Sequence, residues 1–218
     1  MADHNATVKE IEELAPAVLQ LTVAFDERQF QFDPGQWVNF RFPEGVSRAY
    51  TIASAPQRPE AVQICVRVGA GRGGEALRRL APGDSVLLDG PYGDFILPDA
   101  DGRPVAFLAG DTGIAPVRSI VLHMVAVKDK RKILILYEPD QRHILYAGDF
   151  DPLARNGAIV HVSGKIETLI ARNRKVLENS LKMAAGFDGF LARVRSALRA
   201  NGVDTSSSLI VESFGPEP

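Results

Sequence analysis

Cysteine is almost absent from these 218 residues. The single one, Cys65, excludes an intramolecular disulfide and leaves too few thiolates for an iron–sulfur cluster held by four of them within the chain. No charge sign dominates either: 25 Lys and Arg stand against 27 Asp and Glu, a net charge of −2 that gives no electrostatic basis for wrapping nucleic acid. No apolar run reaches the length of about 18 residues that a membrane span needs, so no membrane association is expected. Residues 1–13 are polar and acidic, unlike a signal peptide, and the cytoplasm is the expected compartment. His4, His123, His143 and His161 lack metal-ligand spacing and read as surface or helix residues, so no metal is expected. Internal repeats and low-complexity segments are missing as well. What remains, 45% hydrophobic and 24% charged, is an ordinary globular composition, long enough for two domains.

The first hundred residues read as β. Residues 6–11, Val18–Phe25 and 36–42 are short apolar-rich runs separated by turn formers such as Pro34-Gly35. Residues 61–68 alternate, with Val62, Ile64, Val66 and Val68 on one face and Gln63, Cys65 and Arg67 on the other. A short helix is expected over 75–80, and a strand over 85–89 ending at Gly90-Pro91-Tyr92-Gly93. Short strands with Gly/Pro turns suggest an antiparallel barrel or sandwich. The character changes near Asp99-Ala100-Asp101-Gly102. Strands are then expected at 104–109, 132–137, 158–162 and 209–214, and a helix at 115–127. The apolar spacing of Ile166, Leu169, Ile170, Val176, Leu177 and Leu181 predicts one long helix over 165–184. Another helix opens at Asp188 and closes at Asn201-Gly202. Alternating strands and helices imply a parallel, helix-covered sheet. The expected domains are therefore residues 1–100 and 101–218.

Two short stretches carry chemistry. Arg48-Ala49-Tyr50-Thr51-Ile52-Ala53-Ser54 puts a cation, an aromatic and two hydroxyls on one extended run. A cation with hydroxyls suits a diphosphate, and an aromatic suits a flat ring. Arg48 and Tyr50 share a strand face, with Thr51 on the other; an ordinary edge strand with a surface Arg accounts for the same pattern. Gly110-Asp111-Thr112-Gly113-Ile114-Ala115-Pro116 is a Gly-rich turn between an apolar strand and a helix, where backbone N–H groups can meet a second phosphate. Pro116 is tolerated at a helix start. Two phosphate sites suggest two nucleotides with electrons passing between them. Glu138, ending a strand, suits a ribose 2′-hydroxyl and repels a 2′-phosphate, whereas nearby Arg142 would attract one. A nucleotide without a 2′-phosphate is slightly favoured on this basis, and a pair of solvated loop charges accounts for the two residues at least as well. Lys128-Asp129-Lys130-Arg131-Lys132 is either a docking patch for an acidic electron carrier or a solvated turn.

The order Arg-x-Tyr-Thr-x-x-Ser at 48–54 resembles the flavin motif of the ferredoxin–NADP reductase family. The resemblance covers nearly the whole chain, through Pro34-Gly35-Gln36, Gly90-Pro91-Tyr92-Gly93-Asp94-Phe95, the turn at 110–116, and Glu212-Ser213-Phe214. It implies an antiparallel Greek-key β-barrel that binds FAD, followed by an α/β parallel-sheet domain that binds NAD(P). Arg48 would meet the FAD diphosphate, Tyr50 would stack on the isoalloxazine and Thr51 would hydrogen-bond near N5. Ser54, Val66 and Val68 fall in the same flavin-binding set. Gly73-Gly74 resembles the second diphosphate loop, with Leu77 where relatives often have Ser or Thr. Gly110, Thr112 and Gly113 would hold the pyridine nucleotide, with Asp111 where many relatives have Gly. Glu212 and Phe214 match the family's C-terminal Glu-x-aromatic, whose aromatic covers the flavin. Ala185-Gly186-Phe187 stands at the family's Cys-Gly-Pro, without the Cys or the Pro.

The implied activity is a flavin-dependent NAD(P)H oxidoreductase. Hydride would pass from NADH or NADPH to flavin N5, with Thr51, Glu212 and Phe214 around the reacting atoms. Electrons would go on to a separate protein or small-molecule acceptor. The missing Cys-Gly-Pro supports an alternative: a flavin-binding module or subunit without NAD(P)H turnover, acting as a sensor or partner-dependent component.

Overall fold

Alternating apolar and polar residues give the first half of the chain strands with one buried face. In the computed structural model, which describes residues 2–26, 30–42, 45–57, 60–98, 102–140, 143–206 and 208–216, these are β1 (Ala2–Ala15), β2 (Val18–Phe25), β3 (Trp37–Arg41), β4 (Ser47–Thr51), β5 (Ala61–Arg67) and β6 (Ser85–Tyr92). They form one antiparallel sheet in the order β4-β3-β6-β1-β2-β5. A bridge between Ile52 and Ile64 joins its two edges, so the sheet curls into a barrel. Val8, Leu21, Val23, Val38, Phe40, Ile64 and Leu88 fill the interior, each side chain contributing about 1.5–3 kcal/mol of transfer free energy. β1 runs well past the expected 6–11, pairing with β6 from Ala2 and with β2 as far as Ala15; Glu10, Glu12 and Glu13 are exposed along it, and its ladder with β2 carries two register shifts. Helix α1 (Gly71–Arg79) starts earlier than expected and buries Ala76 and Leu77 against the barrel.

The second half alternates: β7 (Val105–Gly110), a 3-10 turn (Asp111–Gly113), α2 (Ile114–Ala126), β8 (Ile133–Glu138), α3 (Ala147–Arg155), β9 (Ile159–Ser163), α4 (Ile166–Glu178), β10 (Leu181–Gly186), α5 (Asp188–Ala200) and β11 (Leu209–Ser213). Its five strands are all parallel, in the order β11-β10-β7-β8-β9. The chain winds outward from β7 to β9 and returns to the other side of β7 with β10, which makes a topological switch point between β7 and β10. The antiparallel barrel and the parallel α/β sheet are those the sequence predicts. Two compact units result: Met1–Leu97 with Arg118–Ala126, and Pro98–Val117 with Val127–Glu217.

The long helix expected over 165–184 is wrong. α4 stops at Glu178, Ser180 turns its hydroxyl back onto the Val176 carbonyl, and β10 begins at Leu181. Leu181, Lys182, Met183, Ala184 and Ala185 are good helix formers. Sandwiched between β7 and β11 and fully covered, they form a central strand instead, because ladder pairing and burial outweigh propensity. Lys182, only 1% exposed, donates through Nζ to the carbonyls of Leu177 and Ser180 and so caps the end of α4. His4 and His161 also depart from expectation: both lie on strands, His4 against Phe25 and Phe30 and His161 against Phe150.

Candidate functional site

β4 carries Arg48 to the N-terminus of α1. A Cβ added to Gly73 would lie 2.8 Å from Arg48 Nε, so the guanidinium runs directly over the first turn of the helix. Gly74 is equally constrained, since a Cβ there would lie 1.9 Å from the Gly69 carbonyl oxygen. That first turn has no acidic residue and no side-chain cap, and Arg48 donates to the carbonyl of its neighbour Ser47 at 2.8 Å. A cation and the positive end of a helix dipole thus converge on one place, an arrangement that suits an anion. Leu77 packs into the barrel core and offers no phosphate contact, which leaves the backbone N–H groups and the exposed Arg72 of the first turn.

Tyr50 sits half-buried on the same strand face as Arg48, held edge-on by Phe40 and Phe42. Burial pushes its phenol up to about 12 despite the Arg48 charge nearby, so it stays a neutral hydrogen-bond donor. Thr51 points the other way and is 7% exposed, paired across the sheet with Trp37, which packs on Tyr92. Ser54 accepts the Gln63 N–H on its hydroxyl at 3.0 Å. Val66 is sealed in the barrel core and Val68 packs on it. The first unit therefore brings Arg48 onto Gly73 and sets Tyr50 on the same strand face, while Thr51 lies on the opposite face, Ser54 follows where the chain has left β4, and Val66 is in the core.

In the second unit the Gly-rich turn lies at the switch point. A Cβ on Gly113 would come within 2.1 Å of the Ala185 carbonyl oxygen, and one on Gly110 within 2.5 Å of the Phe190 ring. Both glycines are needed for the turn to pack against β10 and α5. Asp111 adopts φ 50°, a left-handed conformation that suits glycine and that Asp tolerates better than most residues. Thr112 is buried. Glu212 pairs with Ala185 and Ser213 with Gly186. Gly110, Thr112, Gly113, Ala185 and Glu212 thus line the C-terminal edge of the sheet around the crevice, where open parallel sheets bind ligands. Phe214 donates its N–H to the Gly186 carbonyl, and its ring meets Phe187 edge-to-face at 5.8 Å. Phe187, in the place of the family's Pro, was not singled out from the sequence as a packing partner.

Glu138 is far more engaged than its sequence position indicates. Arg193 donates to both of its oxygens at 2.7 and 2.8 Å, and the Ile166 N–H at the start of α4 donates to Oε2 at 2.6 Å. The same guanidinium forks onto Glu167, whose carboxyl is held down to about 2, chiefly by that hydrogen bond. Arg142 falls outside the described residues. In the basic turn, Arg131 pairs with Asp129 and donates to the Pro98 carbonyl, leaving Lys128, Lys130 and Lys132 as its exposed cations. Among the described residues no cluster of His, Cys, Asp and Glu could hold a metal ion, and no helix is long and apolar enough to cross a membrane.

Residues 5–96 match the oxidoreductase FAD-binding domain family. The chain is 34% identical over 157 residues to ferredoxin–NADP reductase B of Sorangium cellulosum, covering 69% of this chain and 64% of that protein. It is 32% identical over 148 residues to the reductase component of phenol 2-monooxygenase from Pseudomonas sp. strain CF600, covering 66% and 41%. The matched segment is thus less than two thirds of the length of these relatives. Among solved structures, the fold matches the Amycolatopsis cytochrome P450 reductase GcoB with a TM-score of 0.88 at 23% identity, covering 99% of this chain and 70% of that one. It matches a Neisseria gonorrhoeae ferredoxin–NADP+ reductase with a TM-score of 0.83 at 17% identity, covering 98% and 99%. Residues 5–96 thus carry the signature of an oxidoreductase FAD-binding domain, and the chain as a whole shares the two-domain fold of the ferredoxin–NADP reductases it resembles.

Proposed function

We propose that the chain is a flavin-dependent NAD(P)H oxidoreductase, with FAD held by domain 1–100 and NADH or NADPH by domain 101–218, and with electrons passed on to a separate acceptor. The observation that carries this reading is the convergence of Arg48 on the uncapped, glycine-lined N-terminus of α1. FAD supplies a group that accepts hydride and releases electrons singly. The protein's part is binding and orientation. Arg48 and the backbone at Gly73 and Gly74 hold the diphosphate. Tyr50, kept neutral, stacks against the ring, Thr51 offers its hydroxyl at the hydride-accepting edge, and Ser54, Val66 and Val68 support that segment. In the second domain Gly110, Thr112 and Gly113 let the nucleotide approach the backbone. Glu212 and Phe214 flank the reacting face.

Glu138 and Glu167 share one Arg193, a cluster with net negative charge that disfavours a 2′-phosphate, so NADH is the preferred donor, with Arg142 as the residue that would favour NADPH. The reductase components among the relatives support a protein acceptor; a small-molecule acceptor is the other option. The cytoplasm is the proposed compartment. Ala185 favours a second reading, a flavin module without NAD(P)H turnover, because the buried end of β10 has a methyl group where the family has a thiol. Heating the purified protein and separating the released cofactor by chromatography tests the first step: FAD supports the proposal, while FMN alone, or no flavin even after reconstitution, overturns it.

A further inference from the structure

Beyond Thr51 the chain leaves the sheet, and its carbonyls lose their ladder partners. Within the first unit, α2 replaces them. Arg118 donates from one Nη to the Ala53 carbonyl at 2.9 Å and to Gln63 Oε1 at 2.8 Å. Ser119 donates its hydroxyl to the Ser54 carbonyl at 2.7 Å. The same stretch is held from the other side: the Ile52 N–H donates to the Gln36 carbonyl at 3.1 Å, and the Ala53 N–H to the Gln63 carbonyl at 2.7 Å. Residues 52–54 are therefore latched on both edges, and the latch fixes how Tyr50 and Thr51 are presented.

Arg118 is only 8% exposed, and its helix neighbours Val117, Ile120 and Val121 are fully buried. Taking a guanidinium out of water is unfavourable, and an aliphatic side chain would fill the space without that penalty. An aliphatic chain cannot orient a carbonyl. The hydrogen bonds to Ala53 and Gln63 are what this position gains from a planar, always-charged donor.

We propose that Arg118 and Ser119 are positioning residues for the flavin, acting through the backbone of 53–54 on Thr51 and Tyr50. The inference rests on the assignment of 48–54 to FAD, and its test keeps the two apart. FAD affinity, the visible circular dichroism of bound FAD and the melting temperature of the apoprotein are measured for wild type, Arg118→Met, Arg118→Lys and Ser119→Ala. Arg118→Met is expected to weaken FAD binding about tenfold or more and to alter the dichroism, since a hydrogen bond to a charged group is lost. Arg118→Lys, which retains a charged donor, restores most of both. Ser119→Ala, a change too small to threaten folding, gives a loss of about threefold to tenfold, as for one neutral hydrogen bond. Wild-type affinity and dichroism in Arg118→Met and Ser119→Ala, with normal FAD uptake by the wild type, would overturn the latch alone. So would losses that track the apoprotein melting temperature and are not recovered by Lys. A wild type that takes up no FAD would overturn the flavin assignment and the latch with it.

Discussion

On the proposed reading, Arg48 is the residue on which flavin binding turns. Its guanidinium crosses Gly73 at the positive end of α1 and donates to the Ser47 carbonyl. Arg48→Ala should weaken FAD binding by about 1.5–3 kcal/mol, roughly tenfold to a hundredfold, the worth of one charge-assisted pair. Titration of the apoprotein with FAD measures this, and unchanged affinity would make Arg48 a surface residue. Asp111 presents the opposite case. It holds a left-handed conformation in the nucleotide turn and brings a carboxylate there. Asp111→Gly should relieve about 1 kcal/mol of backbone strain and lower the KM for NADH severalfold; a raised KM would show that the carboxylate contributes to the turn. Both residues were recognisable from sequence because their neighbours in the chain define the motif. The partners of Glu138 were not, because Arg193 lies 55 positions away and only the packing of α5 beside α4 brings it there. Arg118 was hidden for the same reason: its partners Ala53 and Gln63 lie 65 and 55 positions away.

The elements show where local propensity decides and where it yields. Val18–Phe25 begins and ends where its alternation predicts. β10 does not, because nothing in a Leu-Lys-Met-Ala-Ala run specifies a strand until β7 and β11 lie on either side of it. The strand also places Ala185 and Gly186 at the crevice, which a continuous helix would not have done. At the other edge of that sheet, His161 of β9 packs against Phe150 of α3, and its Nε2 is buried without a hydrogen-bond partner among the described residues. Burial holds its pKa below the ordinary 6.5, with Asp151 the charge that opposes the shift. Above pH 6.5 the ring is neutral whether the chain is folded or not. As the pH falls below 6.5 the unfolded chain takes up the proton first, so stability declines until the lowered native pKa is reached. Melting temperatures followed from pH 7.5 to 5 should therefore fall less steeply in His161→Phe than in the wild type. Parallel curves would show that His161 does not carry this dependence.

At the scale of the whole molecule, the change from alternation to helix-and-strand periodicity near residue 100 made both architectures legible. The assembly of the crevice was not, because it depends on strand order. The second sheet puts β10 next to β7, so that residues 110–113, Ala185 and Glu212, far apart in sequence, meet at one edge. On the proposed reading, donor choice belongs to that edge. NADH should reduce the bound flavin faster than NADPH, and Glu138→Ala should narrow the gap; a marked NADPH preference in the wild type would transfer the role to Arg142.

The reductase reading as a whole requires that nicotinamide and flavin meet with reacting atoms about 3–3.5 Å apart, and on that proposal Phe214 would compete with the nicotinamide. Loss of the thiol at position 185 should slow that step without changing its chemistry. The direct measurement is anaerobic stopped-flow absorbance at the flavin band after mixing the FAD-loaded protein with NADH or NADPH. The expected result is slow but complete bleaching by the wild type, accelerated in Phe214→Ser. If neither nucleotide bleaches the flavin in either protein while dithionite does, the chain binds flavin without turning over NAD(P)H, and the oxidoreductase account is contradicted.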